Sequence, residues 1–334
     1  MRAQLAAGFG LMASIGIVAG CSSDRPPDPE RAMSSRRVVG KPDVRDAREV
    51  REVPDRPEAR TPAKVNLALG DGFEMRQPIH DGRLTLVPII ATGATPATRF
   101  ITLNEGMARN VVSVREVGEE WEVDTVRITN RAREPLVGLS GELILDANQD
   151  RVLAEDTVVA PGKTLLVHVR CVEQERDHGG TTFHAGHAIG ELSLRRRVVH
   201  DSQEAVWAQV DVINARNHLS PESKTYRGSA RLQSQGAARE RRDRLVAQLQ
   251  GLEERSRMVG LAIAVDGEVL AIDRLATPAL YQQLESELVA SYLPDTDGPP
   301  AEGKKLGPDD VRALAKRSPD TATSASSSVL RPLP

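Results

Sequence analysis

The period of the apolar positions changes part-way along this chain, and that change constrains the fold more than any other feature. Up to about residue 172, apolar residues come in short runs at alternate positions, the pattern of a strand with one face turned inward. The clearest run is Thr164 to Val172, with Leu165, Val167, Val169 and Cys171 on one side and Thr164, His168 and Arg170 on the other. Leu84 to Ile90, Asn110 to Glu116, Glu122 to Thr129, Leu143 to Leu145 and Thr157 to Val159 read the same way. Asn130 to Glu134 and the pair Pro161-Gly162 supply turns.

From residue 201 the spacing becomes helical. Asp201 and Glu204 have capping-box spacing, and Val206, Val210 and Ile213 follow as a stripe with Trp207 beside it. A second helix is predicted from Ala237 to Arg255, with Leu245, Leu249 and Leu252 inward. Met258 to Val265 and Glu268 to Ile272 form a hairpin around the two-residue turn Asp266-Gly267. Thr277 caps a last helix with Pro278 at its first position, and Leu280, Leu284 and Leu288 line its buried side. Strands first and helices later, with no regular βαβ alternation, is an α+β arrangement: a sheet or sandwich followed by helices, a C-terminal hairpin and a helix.

The two ends of the chain read differently from that core. Met1-Arg2 precedes an apolar run from Leu5 to Ala19, the layout of a secretory signal. The run is too short and too rich in Gly and Ala for a membrane span. It ends in Val18-Ala19-Gly20-Cys21, which resembles the lipobox of bacterial lipoproteins. The resemblance implies that Cys21 is acylated and becomes the mature N-terminus, so that the membrane is a partner through the lipid. Each buried methylene contributes roughly 0.8 kcal/mol, so several chains anchor far better than one. Ser22 after the Cys, by the same resemblance, favours the outer membrane facing the periplasm. Residues 22–63 are Pro, Arg, Asp and Glu with almost no large apolar residue, and are expected to be a disordered tether. The expected division is therefore a signal peptide over 1–21, a tether over 22–63, a globular domain over 64–293 and a mobile tail over 294–334. A short helix is expected in the tail from Pro308.

A net charge of −3 gives no reason to expect nucleic acid. With Cys21 committed to lipid, Cys171 is the one remaining cysteine, and an intramolecular disulfide is excluded. A domain of this size can hold itself with its core instead. At 3% aromatic residues, the chain lacks the stacking rings of a glycan-binding surface.

Several motifs fail on inspection, and none identifies a cofactor. Gly162-Lys163-Thr164 has the ending of a phosphate loop, but Thr157 stands where the first glycine belongs and the segment joins two strands. Gly138-Leu139-Ser140-Gly141 approaches a nucleophile elbow, with Glu142 in place of the closing glycine. Asp146, Asn148 and Asp150 open like a calcium loop, but Arg151 replaces the turn glycine and Thr157 the bidentate acid. His178, His184 and His187 lie in a glycine-rich stretch that could bind zinc. A solvated loop is the preferred reading, so no metal site is expected there. Cys171 alternates with apolar residues and reads as a buried, inert thiol.

One set of segments carries more weight: Gly141-Glu142-Leu143, Asn148-Gln149-Asp150-Arg151-Val152, Cys171-Val172-Glu173, Arg176 and Phe183. Gln203-Glu204-Ala205-Val206-Trp207, Val259-Gly260, Asp266-Gly267 and Ser291-Tyr292 continue it. In order and spacing these resemble the ARG and rhodanese-phosphatase-superfamily-associated proteins, ARG being ADP-ribosylglycohydrolase, over about Leu84 to Tyr292. The resemblance implies a link to ADP-ribose or NAD-derived chemistry by analogy. The family usually has Gly-Arg-Trp after Cys-Val-Glu, whereas here the run is Glu175-Arg176-Asp177. Charged residues that interrupt or end apolar strands point to the same place, so Glu142, Gln149, Arg151, Glu173 and Arg176 form the candidate ligand or catalytic cluster. Arginine forks in it would suit a small anionic ligand. A binding or scaffolding lipoprotein is the first expectation. The alternative is a hydrolase or transferase acting on a phosphorylated nucleoside or similar molecule, with Glu142 and Glu173 as acid and base.

Overall fold

The computed structural model describes residues 72–118, 124–175 and 179–298, together with Gly307 and Asp310. The signal peptide with Cys21, the expected tether and most of the expected tail helix lie outside the described residues. The strand-rich part opens with β1 (Phe73–Met75), β2 (Ile79–Asp81), β3 (Leu84–Ala91), β4 (Ile101–Thr102), a short helix α1 (Leu103–Ala108), β5 (Val112–Glu116) and β6 (Thr125–Asn130). It continues with β7 (Leu136–Gly138), β8 (Glu142–Asp146), β9 (Arg151–Leu153), β10 (Thr157–Val159), β11 (Thr164–Cys171) and β12 (Phe183–Ile189). Helices α2 (Leu192–His200), α3 (Gln203–Arg216), α4 (Arg227–Leu232) and α5 (Gly236–Gln250) follow. The hairpin β13 (Met258–Val265) and β14 (Glu268–Arg274) and the helix α6 (Pro278–Tyr292) complete the domain. The fold is α+β, as the change of period implies.

Among the described residues the strands form three sheets. In the first, β1, β3, β13 and β14 lie side by side, with β2 also on β3, so the C-terminal hairpin pairs with the earliest strands of the domain. Its core includes Leu86, Ile89, Leu261 and Ile263 from the strands and Leu245, Leu284 and Leu288 from α5 and α6. The second sheet is short, with β7 between β10 and a parallel β4. The third has the order β12-β8-β9-β11-β6-β5 and is antiparallel throughout. One of its faces shares a core with the short sheet through Val114, Ile128, Ile144, Leu153, Val169 and Phe183. Its other face, at the β8–β9 end, buries Leu143 and Val152 against Val206, Val210 and Ile213 of α3.

Local differences from the sequence reading have physical causes. Phe183 to Ile189 forms strand β12 against β8, because Gly186 lets the two backbones close up: a Cβ there would lie 2.5 Å from the Leu143 carbonyl oxygen. Helix α3 is capped one residue later than the capping-box spacing implied, by the Ser202 hydroxyl accepting from the Ala205 N–H at 3.4 Å. Leu165 is 43% exposed, so the inward face of β11 begins at Val167. Thr277 and Pro278 start α6 as expected.

Arg195 of α2 and Asp273 of β14 are both fully buried and meet in a bidentate pair at 2.9 and 2.8 Å. The Tyr292 hydroxyl donates to the same carboxylate at 2.7 Å. Burial opposes the charge on Arg195, and the Asp273 carboxylate more than offsets it, holding the guanidinium above its usual value. Removing one partner leaves the other charged and dry, which costs on the order of 3–5 kcal/mol. Asp273→Ala is therefore expected to lower the unfolding free energy by about that amount in urea titration. A loss under about 1 kcal/mol would show that the pair is not a structural anchor.

Candidate functional site

The β8–β9 hairpin carries an extended polar network. The chain leaves β8 at Asp146 with φ 72 and passes Ala147 with φ 49, so the turn is tight and left-handed. Asp150, buried at its end, accepts the Asp146 N–H at 2.9 Å and the Thr225 hydroxyl at 3.0 Å. Arg227 of α4 lays its guanidinium across the turn, donating to Asp150 through Nε at 2.9 Å and Nη2 at 2.5 Å and to Asp146 at 2.9 Å. A fixed organic cation thus sits on the carboxylates that resembled a calcium loop. The Asp150 N–H donates to Glu173 at 2.8 Å, which fastens the end of β11 to the same turn.

Beside it, Arg151 points inward. It reaches Glu116 at 3.0 Å and lies over the Phe183 ring at 5.6 Å. Gln203, the first residue of α3, brackets the Cys171 peptide: its Oε1 accepts the Cys171 N–H at 2.9 Å and its Nε2 donates to the Cys171 carbonyl at 2.7 Å. Cys171 itself is buried, and burial pushes its thiol up from the ordinary value, which keeps it protonated and unreactive.

The residues expected to cluster are distributed as follows. Arg151 and Glu173 flank Asp150 at this end of the hairpin, and Gln149 is half-buried in the turn. Arg176 and His178 lie outside the described residues. Glu142 starts β8 while the turn follows its last residue, so it sits at the far end of a five-residue strand, roughly 13 Å along at ~3.4 Å per residue. His184 contacts Asp146 at 3.0 Å. His187 stands three residues further along, at the bulge in the β8–β12 pairing, with φ 50. Among the described residues no group of three His, Cys, Asp or Glu side chains is placed to hold a metal.

Glu142 has surroundings of its own. The Leu139 N–H donates to its Oε2 at 2.8 Å, while Oε1 is buried and makes no hydrogen bond among the described residues. Burial, then the nearby charges of Glu287 and Asp156, push its carboxyl up to about 8, against the hydrogen bond from Leu139. Glu287 of α6 is gripped by Asn104 of α1, whose Nδ2 donates to both oxygens at 3.0 Å. Ser140 is buried, and both its N–H and its side chain serve Asp156, so it is not presented as a nucleophile. Burial also raises the carboxyls of Glu287 and of Asp156, the latter to about 6, so Glu142 at about 8 holds its proton at neutral pH more firmly than Asp156 does.

Sequence reasoning missed Arg227, which lies 77 positions from Asp150 and has no local pattern to mark it. Glu287 carried a faint sign, being an acid directly before Leu288 on the apolar side of α6.

The family model for the ARG and Rhodanese-Phosphatase-superfamily-associated Protein domain, ARPP-1, matches residues 72–330. The chain belongs to this family. The ARPP-1 match runs past the boundary expected at 293. No curated protein and no solved structure matches the chain.

Three contacts tie distant segments of the matched region together: Gln203 on Cys171, Glu173 on the Asp150 turn, and Tyr292 on Asp273. The raised carboxyl of Glu142 gives a measurable consequence. The unfolded chain ionises near 4.5 and the folded one near 8, so the folded state binds the extra proton between those values. Stability is lost as pH rises through that window. Glu142→Gln, which keeps the acceptor for Leu139, is expected to melt with the parent at pH 5 and above it at pH 8. An equal shift at both values would contradict the raised carboxyl.

Proposed function

We propose that this protein is an exported lipoprotein whose ARPP-1 domain works as a ligand-binding or scaffolding module. In this reading Cys21 carries the lipid, residues 22–63 are the tether, and the domain stands clear of a membrane. The outer membrane facing the periplasm is the proposed location, on the strength of Ser22 after the Cys. No helix among the described residues is long and apolar enough to cross a bilayer.

The observation that supports binding over catalysis is the commitment of the motif side chains to one another. Glu173 holds the Asp150 N–H, Arg227 neutralises Asp150 and Asp146, and Arg151 is buried against Glu116. Glu142 and Glu173 are therefore a poor acid–base pair, being at opposite ends of β8 with one of them engaged. ADP-ribose or an NAD-derived molecule is the first ligand class to try, by analogy with the family's name alone.

A second reading, a hydrolase or transferase acting on a phosphorylated nucleoside or similar molecule, draws on Glu142. A carboxyl held near 8 beside Glu287 is suited to general acid work. Thermal-shift measurements with ADP-ribose, nucleotides, sugar phosphates and divalent cations, followed by product analysis, separate the two. Stabilisation without turnover supports binding, and turnover that Glu142→Gln abolishes supports the enzyme.

The anchor has its own test. Cys21→Ser is expected to leave an unprocessed or mislocalised precursor that carries no lipid label and leaves the membrane fraction. Normal membrane retention of that variant in fractionated cells would defeat the lipoprotein reading.

A further inference from the structure

The outer face of β5, β6 and β11 carries charge that the fold leaves unmatched. Register places Arg115, Arg127 and Leu166 side by side in one row across the three strands, with Ser113, Thr129 and Thr164 in the next. All three members of the first row are exposed, while Val114, Ile128 and Val167, which alternate with them, fill the core on the other face. Arg131, just past the end of β6, reaches onto the outer face and donates to the Ser113 hydroxyl at 3.3 Å. Three guanidinium groups therefore stand together.

Among the described residues none of the three has a carboxylate partner. Glu116, at the end of β5, alternates to the other face and is taken by Arg151. Glu119, Glu120 and Glu122, between β5 and β6, lie outside the described residues. Arg115 and Arg127 stand directly opposite each other, where like charges repel. The neighbouring row is matched instead, with the hydroxyls of Thr129 and Thr164 2.9 Å apart. Elsewhere the same fold pairs its arginines with acids, as Arg83 with Asp266 and Arg255 with Glu285.

Apolar surface borders the charge. Leu166 is 54% exposed, and its neighbour Leu165 is exposed as well. Strand β9 meets β11 only from Val169 onward, so no strand among the described residues pairs with Thr164 to Val167 on that side. Leucines at an open edge beside arginines have the composition of a surface that lies against a bilayer, with cations among the headgroups and apolar tips below them. An open sheet face encloses no small ion, so its complement is an extended anionic surface. The whole chain is near neutral at −3, so the attraction is local to this face.

We propose that this face docks the domain on the anionic phospholipid headgroups of the membrane that the lipid anchor reaches. The proposal rests on the exported lipoprotein reading for the nearness of a bilayer. The tether leaves the domain free to stand clear, and docking is the other position it takes where the lipid is anionic.

The test uses the full-length protein as isolated from cells, with Leu166→Cys carrying an environment-sensitive fluorophore. Cys171 is buried, so the label goes to the new thiol. Vesicles are of phosphatidylcholine alone or with phosphatidylglycerol added. The probe is expected to shift to the blue on anionic vesicles and not on neutral ones. Salt at about 1 M, where the Debye length is roughly 3 Å, should reverse the shift in the parent, which needs no further variant. Arg115→Gln and Arg127→Gln should each lower the ratio of docked to free domain about fivefold. The same signal on both kinds of vesicle, or a shift that survives salt and the double substitution, overturns the proposal. A shift that grows with protein concentration without vesicles makes a second copy the occupant and overturns it too. Flotation of the vesicles reads the anchor separately. Protein carried by neutral and anionic vesicles alike, without a probe difference, leaves the lipoprotein reading standing and removes docking. Protein carried by anionic vesicles alone, with the shift, supports the face and removes the anchor. Protein carried by neither removes both.

Discussion

The buried pair between Arg195 and Asp273 ties together parts of the chain that are far apart in sequence and meet in one apolar core through Ile189, Leu192, Ile272 and Leu288. Asp273 belongs to the hairpin sheet, Arg195 to the helix that leaves the six-stranded sheet, and Tyr292 to the last helix. Two ions without access to water are tolerable only when geometry is good and remaining lone pairs are used, which the bidentate fork and the tyrosine hydroxyl provide. The surrounding backbone is shaped to admit the pair. Gly141 has φ 87, and a Cβ on it would lie 2.7 Å from Cγ of Arg195. Gly260 lies so close to β14 that a Cβ would stand 2.0 Å from the Asp273 carbonyl oxygen. Gly141 thus makes room for the Arg195 side chain, and Gly260 for the backbone of the strand that carries Asp273.

The β8–β9 seam obeys a similar rule with a different cation. Asp150 is buried and bonded to Arg227, Thr225 and a backbone N–H, so its charge is accommodated without a metal. Through it, α4 is fixed against a sheet whose strands come from much earlier in the chain. Cys171 and Gln203 add a second tie, in which a side chain imitates the next strand by bonding both polar groups of one peptide. These contacts make the region rigid.

Much of the fold was legible in the sequence because it rests on local periodicity. The β13–β14 hairpin, the span of β11 and the start of α6 follow from alternation, a two-residue turn and a Thr-Pro cap, each encoded within a few residues. The site was legible only in part. Arg151 and Glu173 sit at one turn beside paired strand ends, whereas Glu142, grouped with them as a charge that interrupts an apolar strand, begins the five-residue strand that leads to that turn. Strand β12 was hidden by its glycine and histidines, which read as a loop until packing against β8 gave the glycine a purpose. Arg227 and Asp273 were hidden for a more general reason: the partner of a buried charge is chosen by tertiary geometry, and no local pattern announces it.

That distinction also separates structural polar groups from functional ones. A buried donor or acceptor left without a partner costs about 1–3 kcal/mol, so a fold under no other demand pairs what it buries. Asp150, Asp273 and the Cys171 peptide comply, and their neighbours are accounted for by architecture alone. Glu142 does not comply, for one of its oxygens is sealed in without a hydrogen bond among the described residues. That carboxyl does not belong to the network around the hairpin. The chemistry of this domain is therefore to be sought at the head of β8, where a buried carboxyl is incompletely matched, and not in the hairpin network, whose groups hold one another.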